Sequence, residues 1–383
     1  MRNIYLDHAA STPIHPEVAK EMLSVMQTQF GNASSIHAFG RKAKRTVNGA
    51  RDQIAAALGC RSDELVLTSG GTESDNLALF GAIKGGRNKG RHIITTEIEH
   101  HAVLHTCEEL ERQGYEVTYL PVDSHGRVHL NQIQEAIKDD TALISVMYAN
   151  NEVGTIQPIE EIGRLAREQG ILFHVDAVQA LGSLPINCHE LPVDLVSFSA
   201  HKINGPQGMG ALYVHKDVAL DPLLFGGLQE RKRRAGTENL AGAAGFAKAI
   251  QLAVAELEAK HVRDEQMRRT FLDLLRSQIG EEHYVVNGDP DHRLPHIVNV
   301  SFPECGTETM LMNLDMDGIA VASGSACTSG SLEPSHVLAA MHLPQNLLTT
   351  AIRFSFGLGN TNEELEYTAH KIETILQRIR SRR

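Results

Sequence analysis

A lysine held at the mouth of a strand, with an acid close by, can bind an aldehyde cofactor as a Schiff base, and two stretches of this chain supply that pair. Val193 to Phe198 is an apolar run that leads through Ser199-Ala200-His201 to Lys202, and the Gly-Pro-Gln-Gly that follows stops a helix from forming. Ile171 to Val175 is a second apolar run that ends on Asp176, with Gln179 three residues further on. Sequential strands are usually neighbours in a sheet, and ligands sit where such strands end. Asp176 and Lys202 are therefore expected to open onto one crevice. A carboxylate and an amine across a ligand-sized gap suit pyridoxal phosphate, whose ring nitrogen needs the acid and whose aldehyde needs the amine. Taken alone, Lys202 would read as a loop lysine; the acid-tipped strand just before it favours the site.

A second kind of chemistry is suggested by Cys327. It lies in Ser-Gly-Ser-Ala-Cys-Thr-Ser-Gly-Ser, among small polar residues that leave a thiol accessible. Cys60, Cys107 and Cys188 stand among apolar residues and read as buried, inert thiols, while Cys305 in Pro-Glu-Cys-Gly reads as a loop thiol. The five cysteines form no Cys-x-x-Cys pair, and the 20 histidines show no His-Glu-x-x-His spacing, so neither a disulfide framework nor a metal site is indicated.

These strings resemble a known family. His-Val-Asp-Ala-x-Gln and Ser-x-Ser-x-His-Lys-x-x-Gly-Pro are similar to the cofactor motifs of NifS-like cysteine desulfurases, class V enzymes that depend on pyridoxal phosphate. The Cys327 stretch, continuing through Leu-Glu-Pro-Ser, resembles the cysteine loop of the class I members. The resemblance runs through nearly the whole chain in order. It implies that Lys202 binds the cofactor and moves the substrate's α-proton, that Asp176 holds the ring nitrogen, and that Gln179 bonds the phenolic oxygen. It also implies that Cys327 takes sulfur from L-cysteine as a persulfide, leaving L-alanine, and passes it to an acceptor protein for iron-sulfur cluster assembly or thiolation.

Further roles come from the same resemblance. Glu-His-x-Ala-Val makes His100 the residue that covers the cofactor ring, and a candidate acceptor of the Cys327 proton. Gly71 and Thr72 lie in Ser-Gly-Gly-Thr-Glu-Ser, where a strand passes into a helix whose free amides can cradle a phosphate, with Thr72 as the expected N-cap. Ser199 and His201 join them at the phosphate, and Thr237, in Arg-Arg-Ala-Gly-Thr, is implied to reach the phosphate of the opposite subunit, which makes the expected assembly a homodimer. Asn32 in Phe-Gly-Asn-Ala-Ser-Ser, Asn151 in Ala-Asn-Asn-Glu and Arg353 in Ile-Arg-Phe-Ser are implied to hold the substrate. Read on their own residues, Asn32 is equally a turn and Arg353 equally a structural ion pair.

The elements that must position these residues alternate strand and helix through the first two thirds of the chain. That order predicts an α/β architecture with a mainly parallel central sheet, and the resemblance implies the type I fold of pyridoxal-phosphate-dependent transferases. A large cofactor-binding domain is expected over residues 15–256. A smaller α/β domain, carrying the Cys327 loop, is expected from 1–14 and 257–383, with the change falling inside the proline-free run Leu240 to Ile279. With 383 residues, 42% of them apolar, there is material for a large core.

A net charge of −11 argues against direct nucleic-acid binding, and the basic run Arg231 to Arg234 reads as a rim of the cofactor or substrate site. No apolar stretch is of membrane-spanning length and the first seven residues lack a signal-peptide core, so a cytoplasmic protein is expected. Gln207 stands where many family members have lysine, and the chain stops at Arg383, without the longer tail of the cluster-assembly desulfurases. The alternatives kept open are a pyridoxal-phosphate lyase or aminotransferase of the same fold, a selenocysteine lyase, and a cofactor-containing scaffold that only binds partners.

Overall fold

The computed structural model describes residues 3–85, 90–324 and 334–381. In chain order its strands are β1 (Ile4–Tyr5), β2 (Leu65–Thr68), β3 (His92–Thr96), β4 (Glu116–Leu120), β5 (Thr141–Ser145), β6 (Leu172–Asp176), β7 (Leu195–Ser199), β8 (Gly210–Val214), β9 (Val285–Asn287), β10 (Ile297–Ser301), β11 (Ile319–Ala320) and β12 (Ala351–Ser355). The helices are α1 (Pro16–Thr28), α2 (Ala38–Ala57), α3 (Gly71–Gly85), α4 (His101–Arg112), α5 (Leu130–Ala136), α6 (Ile159–Glu168), α7 (Leu240–Ala255), α8 (Leu257–Ile279), α9 (Thr307–Met316), α10 (His336–Ala340), α11 (Gln345–Leu348) and α12 (Asn362–Arg380).

Seven strands form the main sheet, in the order β2-β8-β7-β6-β5-β3-β4. Strands β3 to β7 pair in parallel, and β8 runs antiparallel between β2 and β7. Every residue of β3, β5 and β7 is buried, the threonines and serines included, as in a sheet covered on both faces. β4 departs from this as an edge strand with only Leu120 buried, while β8, also fully buried, follows the Gly205-Pro206 turn that folds the chain back on β7. Close packing also fixes a residue type here: a Cβ on Gly210 would stand 2.6 Å from the Cα of Gly70, so the β8 start and the loop before α3 can approach only as glycines.

The run from Leu240 to Ile279 is two helices, broken at Glu256 and bent by 70°. The largest apolar cluster lies between the main sheet and its helices, with Val175, Phe198 and Phe246 at its centre. A separate one joins Ile4 and Leu6 to α8, β10, β12 and α12 through Phe271, Phe354 and Ile372. The entry segment connects them: β1 pairs with β11, while Thr12 donates its amide to the carbonyl of His201. Cys305 departs from the sequence reading. It does sit in a turn, but its side chain is buried in the second cluster, because the Phe302 to Gly306 turn folds inward against Met310 and Leu314. Among the described residues no single helix is long and apolar enough to cross a membrane.

Candidate active site

Parallel pairing of β6 with β7 sets Asp176 opposite Ser197, so both strands deliver their ends to the same side of the sheet. Beyond β7 a short 3-10 turn, Ala200–Lys202, turns Lys202 back across that edge. Its Nζ donates to the carbonyls of Ala9 (2.5 Å) and Ala10 (2.9 Å), and the Gln179 amide also donates to Ala9 O, at 2.8 Å. The entry segment thus roofs the strand mouths. Beneath it lies a cavity of about 220 Å³. Gly71, Thr72, His100, Asn151 and Asp176 line it, together with Gln179, Ser199, His201, Lys202 and Arg353. Ten residues singled out from separate stretches of sequence therefore converge on one space.

Asn32 does not join them, and Thr237 is expected at the opposite subunit's site. The Asn32 side chain is exposed and accepts the Ser34 amide in a local turn, and Thr237 is exposed in a separate pocket with Arg234 and Glu238. Cys327 lies outside the described residues. The basic run does not rim the Lys202 cavity either. Arg234 pairs with Glu73, and Arg231 and Arg233 donate to the carbonyls of Ser62 and Asp63, because the backbone at Glu230, Arg231 and Lys232 takes positive φ and turns their side chains toward α2 and the start of β2. Thr72 is inside the first turn of α3 and not its N-cap, since the helix begins at Gly71. At Gly71 a Cβ would come 2.8 Å from Val178 Cγ2 and narrow the cavity at the amide end of the helix.

The charges in this space were not legible in the sequence. Asp176 is buried, and burial raises its carboxyl to about 6 even though the Val178 amide and the Lys202 charge pull the other way. Asp75, on the buried face of α3, is raised well above the carboxylate range by burial and by the nearby Asp176 charge. Two adjacent carboxylates in so dry a place do not both ionise; Asp75 keeps its proton and Asp176 carries the negative charge near neutral pH. His174, two residues before Asp176 on β6, comes within 3.6 Å of Asp75 Oδ1. Burial lowers it to about 3, and its nitrogens meet Ser145 Oγ (2.8 Å) and Ser197 Oγ (3.0 Å) as a neutral ring.

His100 is the N-cap of α4, its Nδ1 accepting the Ala102 amide at 3.1 Å. Burial, and then the Lys202 charge, lower it to about 4. A neutral imidazole with Nδ1 so occupied carries its proton on Nε2 and in the resting state is a donor, not a base. Arg353 has a side chain only 1% exposed; Nη2 pairs with Asp7 Oδ1 at 2.8 Å, Nη1 donates to Asn151 O at 2.8 Å, and among the described residues Nε has no partner. Both readings of this residue thus meet in one place, an ion pair at the cavity wall.

Glu99, buried behind His100, accepts from the Thr96 hydroxyl and the Met147 amide, yet burial still raises its carboxyl to about 8. A raised folded-state value means that Glu99 costs no stability while protonated, and that stability is lost as pH climbs from about 4.5 through 8. Glu99→Gln is accordingly expected to match the parent protein in urea unfolding at pH 4.5 and to be the more stable of the two at pH 9. At about 1.4 kcal/mol per pH unit the ceiling is roughly 5 kcal/mol. Equal midpoint differences at the two pH values would refute the assignment.

An amine, a buried carboxylate beside it, a flat imidazole, and a helix amino end with a glycine where a side chain would intrude together fit pyridoxal phosphate. The fold and the site define a pyridoxal-phosphate-dependent enzyme built on a doubly wound sheet. Comparison with known proteins gives the family. The aminotransferase class-V family model matches residues 4–368. The chain is 53% identical over 380 residues to the putative cysteine desulfurase IscS 1 of Bacillus subtilis (strain 168), covering 99% of this chain and all of that one. It is 47% identical to the cysteine desulfurase IscS of Dictyoglomus turgidum (strain DSM 6724 / Z-1310), covering 99% and 96% of the two chains. A solved NifS-like protein superposes with a TM-score of 0.92 at 38% identity, over 98% of this chain and 100% of that one. The chain belongs to the class-V aminotransferase family and, within it, to the IscS/NifS-like cysteine desulfurases. Its activity is the desulfuration of cysteine with pyridoxal phosphate as cofactor.

Proposed function

We propose that the cavity at the mouths of β6 and β7 holds the cofactor, with Lys202 as the covalent anchor and Asp176 against the ring nitrogen. Gly71, Thr72, Ser199 and His201 would hold the phosphate, Gln179 the phenolic oxygen, and His100 the face of the ring. When bound, the cofactor supplies an electron sink for the bonds at the substrate's α-carbon. Lys202 Nζ, poised between two backbone carbonyls, moves the α-proton. Asn151 and Arg353 take the substrate carboxylate, with Asn32 assisting only if its loop moves. Cys327 receives the sulfur. The observation that carries this reading is the meeting of Lys202, Asp176, His100 and Arg353 around one cavity.

For Arg353 to accept a carboxylate, its bond to Asp7 must be shared or exchanged. A charge-assisted hydrogen bond contributes about 1.5–3 kcal/mol, so Arg353→Lys is expected to raise KM for cysteine by about 10- to 100-fold. Steady-state kinetics that find KM unchanged would leave Arg353 as the structural partner of Asp7 alone.

The division into a large unit (15–256) and a small one (1–14 and 257–383) is part of the same proposal, supported by the two apolar clusters and the break at Glu256. So is a homodimer in the cytoplasm. Phe30, Ile36, Phe225 and Leu228 are each more than 70% exposed, which favours a covered surface, and Thr237 would serve the partner's site. The acceptor is a thiol-bearing protein of iron-sulfur cluster assembly or of thiolation chemistry.

The test feeds L-cysteine to the cofactor-loaded protein without reductant, measures alanine, and maps sulfur by peptide mass spectrometry. Purified acceptors of the two kinds are then added. Alanine in step with sulfur on the Cys327 peptide, followed by transfer to one acceptor, is the expected result; alanine with no sulfur on that peptide overturns the assignment of Cys327.

A further inference from the structure

Both described ends of the segment that carries Cys327 meet over a single buried carboxylate. On one side, Gly324 has φ +113°, and a Cβ there would stand 2.6 Å from Glu152 Oε2 and 3.4 Å from Ser335 Cβ. On the other, the Ser335 hydroxyl donates to that same Oε2, at 2.5 Å, while its oxygen caps α10 by accepting the Leu338 amide. Glu152 itself is fully buried in a turn that Asn150 fixes, Oδ1 accepting the amides of Glu152 (2.8 Å) and Val153 (3.0 Å). Among the described residues its Oε1 has no partner.

The turn also touches the substrate side of the cavity. Glu152 follows Asn151, whose carbonyl accepts from Arg353 Nη1, and the Arg353 backbone exchanges hydrogen bonds with Ala322, two residues before Gly324. His336, next to Ser335, bonds the carbonyl of Glu99 at 2.9 Å. The ends of the Cys327 segment are thus tied to residues beside both the cofactor and the substrate.

We propose that Glu152 is a positioning residue for the sulfur-transfer step: by holding Ser335 and seating Gly324 it fixes both ends of the Cys327 segment in register with Asn151 and Arg353. The inference rests on the reading of Cys327 as the sulfur acceptor. Only two residues lie between Gly324 and Cys327, so the Cys327 Cα can be no more than about 11 Å from that end. Near-attack geometry is sensitive to displacements of about 1 Å. The chemistry is unchanged by Glu152: the Cys327 thiolate forms a bond to the substrate sulfur, the carbon-sulfur bond breaks, and its electron pair stays with the carbon that becomes the methyl of alanine.

The experiment compares cofactor-loaded parent protein with Glu152→Gln, Ser335→Ala and the double variant. Cofactor absorbance, KM for cysteine, and the single-turnover rate of persulfide formation on Cys327 at saturating cysteine are measured. Each single change should slow persulfide formation at least fivefold with KM within twofold and the absorbance unaltered. Because both act through one contact, the double variant should be no more than twofold slower than the slower single one. Unchanged rates, losses that multiply, or a slowing that comes with loss of cofactor or a raised KM would overturn the role of Glu152. Ser335→Ala removes one oxygen from a partly exposed position, so it keeps the test open if the buried change impairs folding. Parent protein that makes alanine without a Cys327 persulfide would instead refute the underlying reading of Cys327.

Discussion

Cys327→Ala is expected to lose both persulfide and alanine production from L-cysteine, by at least 100-fold, while keeping its cofactor. No other thiol is placed to substitute. Cys107, Cys188 and Cys305 are buried; burial pushes the Cys107 thiol up, and a hydrogen bond with Cys60 together with burial does the same for Cys188. Cys60 is half-buried and does not line the Lys202 cavity. The nucleophile must be a thiolate, and a thiol of ordinary pKa near 8.5 is only a few per cent ionised at pH 7. Resting His100 offers a proton and not a base, so little deprotonating help is available from it. With an ordinary thiol, the parent protein's single-turnover rate should therefore climb from pH 7 through about 8.5, where it is half-maximal, and level off roughly one unit higher. Turnover that survives in Cys327→Ala would sink the persulfide role and leave lyase chemistry on the same cofactor.

How far the site could be read in the sequence depended on which forces had placed each residue. Asp176 and Lys202 were legible because each ends an apolar run, and neighbouring parallel strands bring such ends together. Gly71, His100 and Asn151 lie beyond other strands of the same sheet, but their roles came from the family resemblance and not from the strand ends alone. Asp75 and Glu99 were not found, since their importance comes from burial beside Asp176, which no local pattern reports; the only available signal was an acid four residues into an otherwise apolar helix face. The roof over Lys202 was equally hidden. Ala9 and Ala10 contribute only carbonyls, and they arrive from more than 190 residues away. Asn32 was matched by motif alone, and a motif carries no information on whether its residue faces this chain's own cavity.

Lys202 allows the sharpest separation of charge from covalent chemistry. Lys202→Ala and Lys202→Arg are both expected to lower alanine formation by at least 1,000-fold, since neither can form the covalent link or relay the α-proton; an arginine stays protonated at any pH the protein survives. They should differ in how they hold the cofactor. The Lys202 charge is one of the forces that keep the Asp176 carboxyl from rising above about 6. Removing it in Lys202→Ala lets the carboxyl rise further, so that more of Asp176 is protonated at pH 7 and its hold on the ring nitrogen weakens. Lys202→Arg keeps a positive charge near Asp176 and should retain the cofactor better, although borohydride would trap none of it on either variant. Raising the pH from 6 to 8 re-ionises Asp176, so cofactor affinity of Lys202→Ala should improve over that range while that of Lys202→Arg stays nearly flat. Dialysis at the two pH values, followed by absorbance, reads the difference. Identical retention in both variants at both pH values would mean that the Lys202 charge does not govern Asp176, and borohydride trapping in Lys202→Ala would mean that another amine anchors the cofactor.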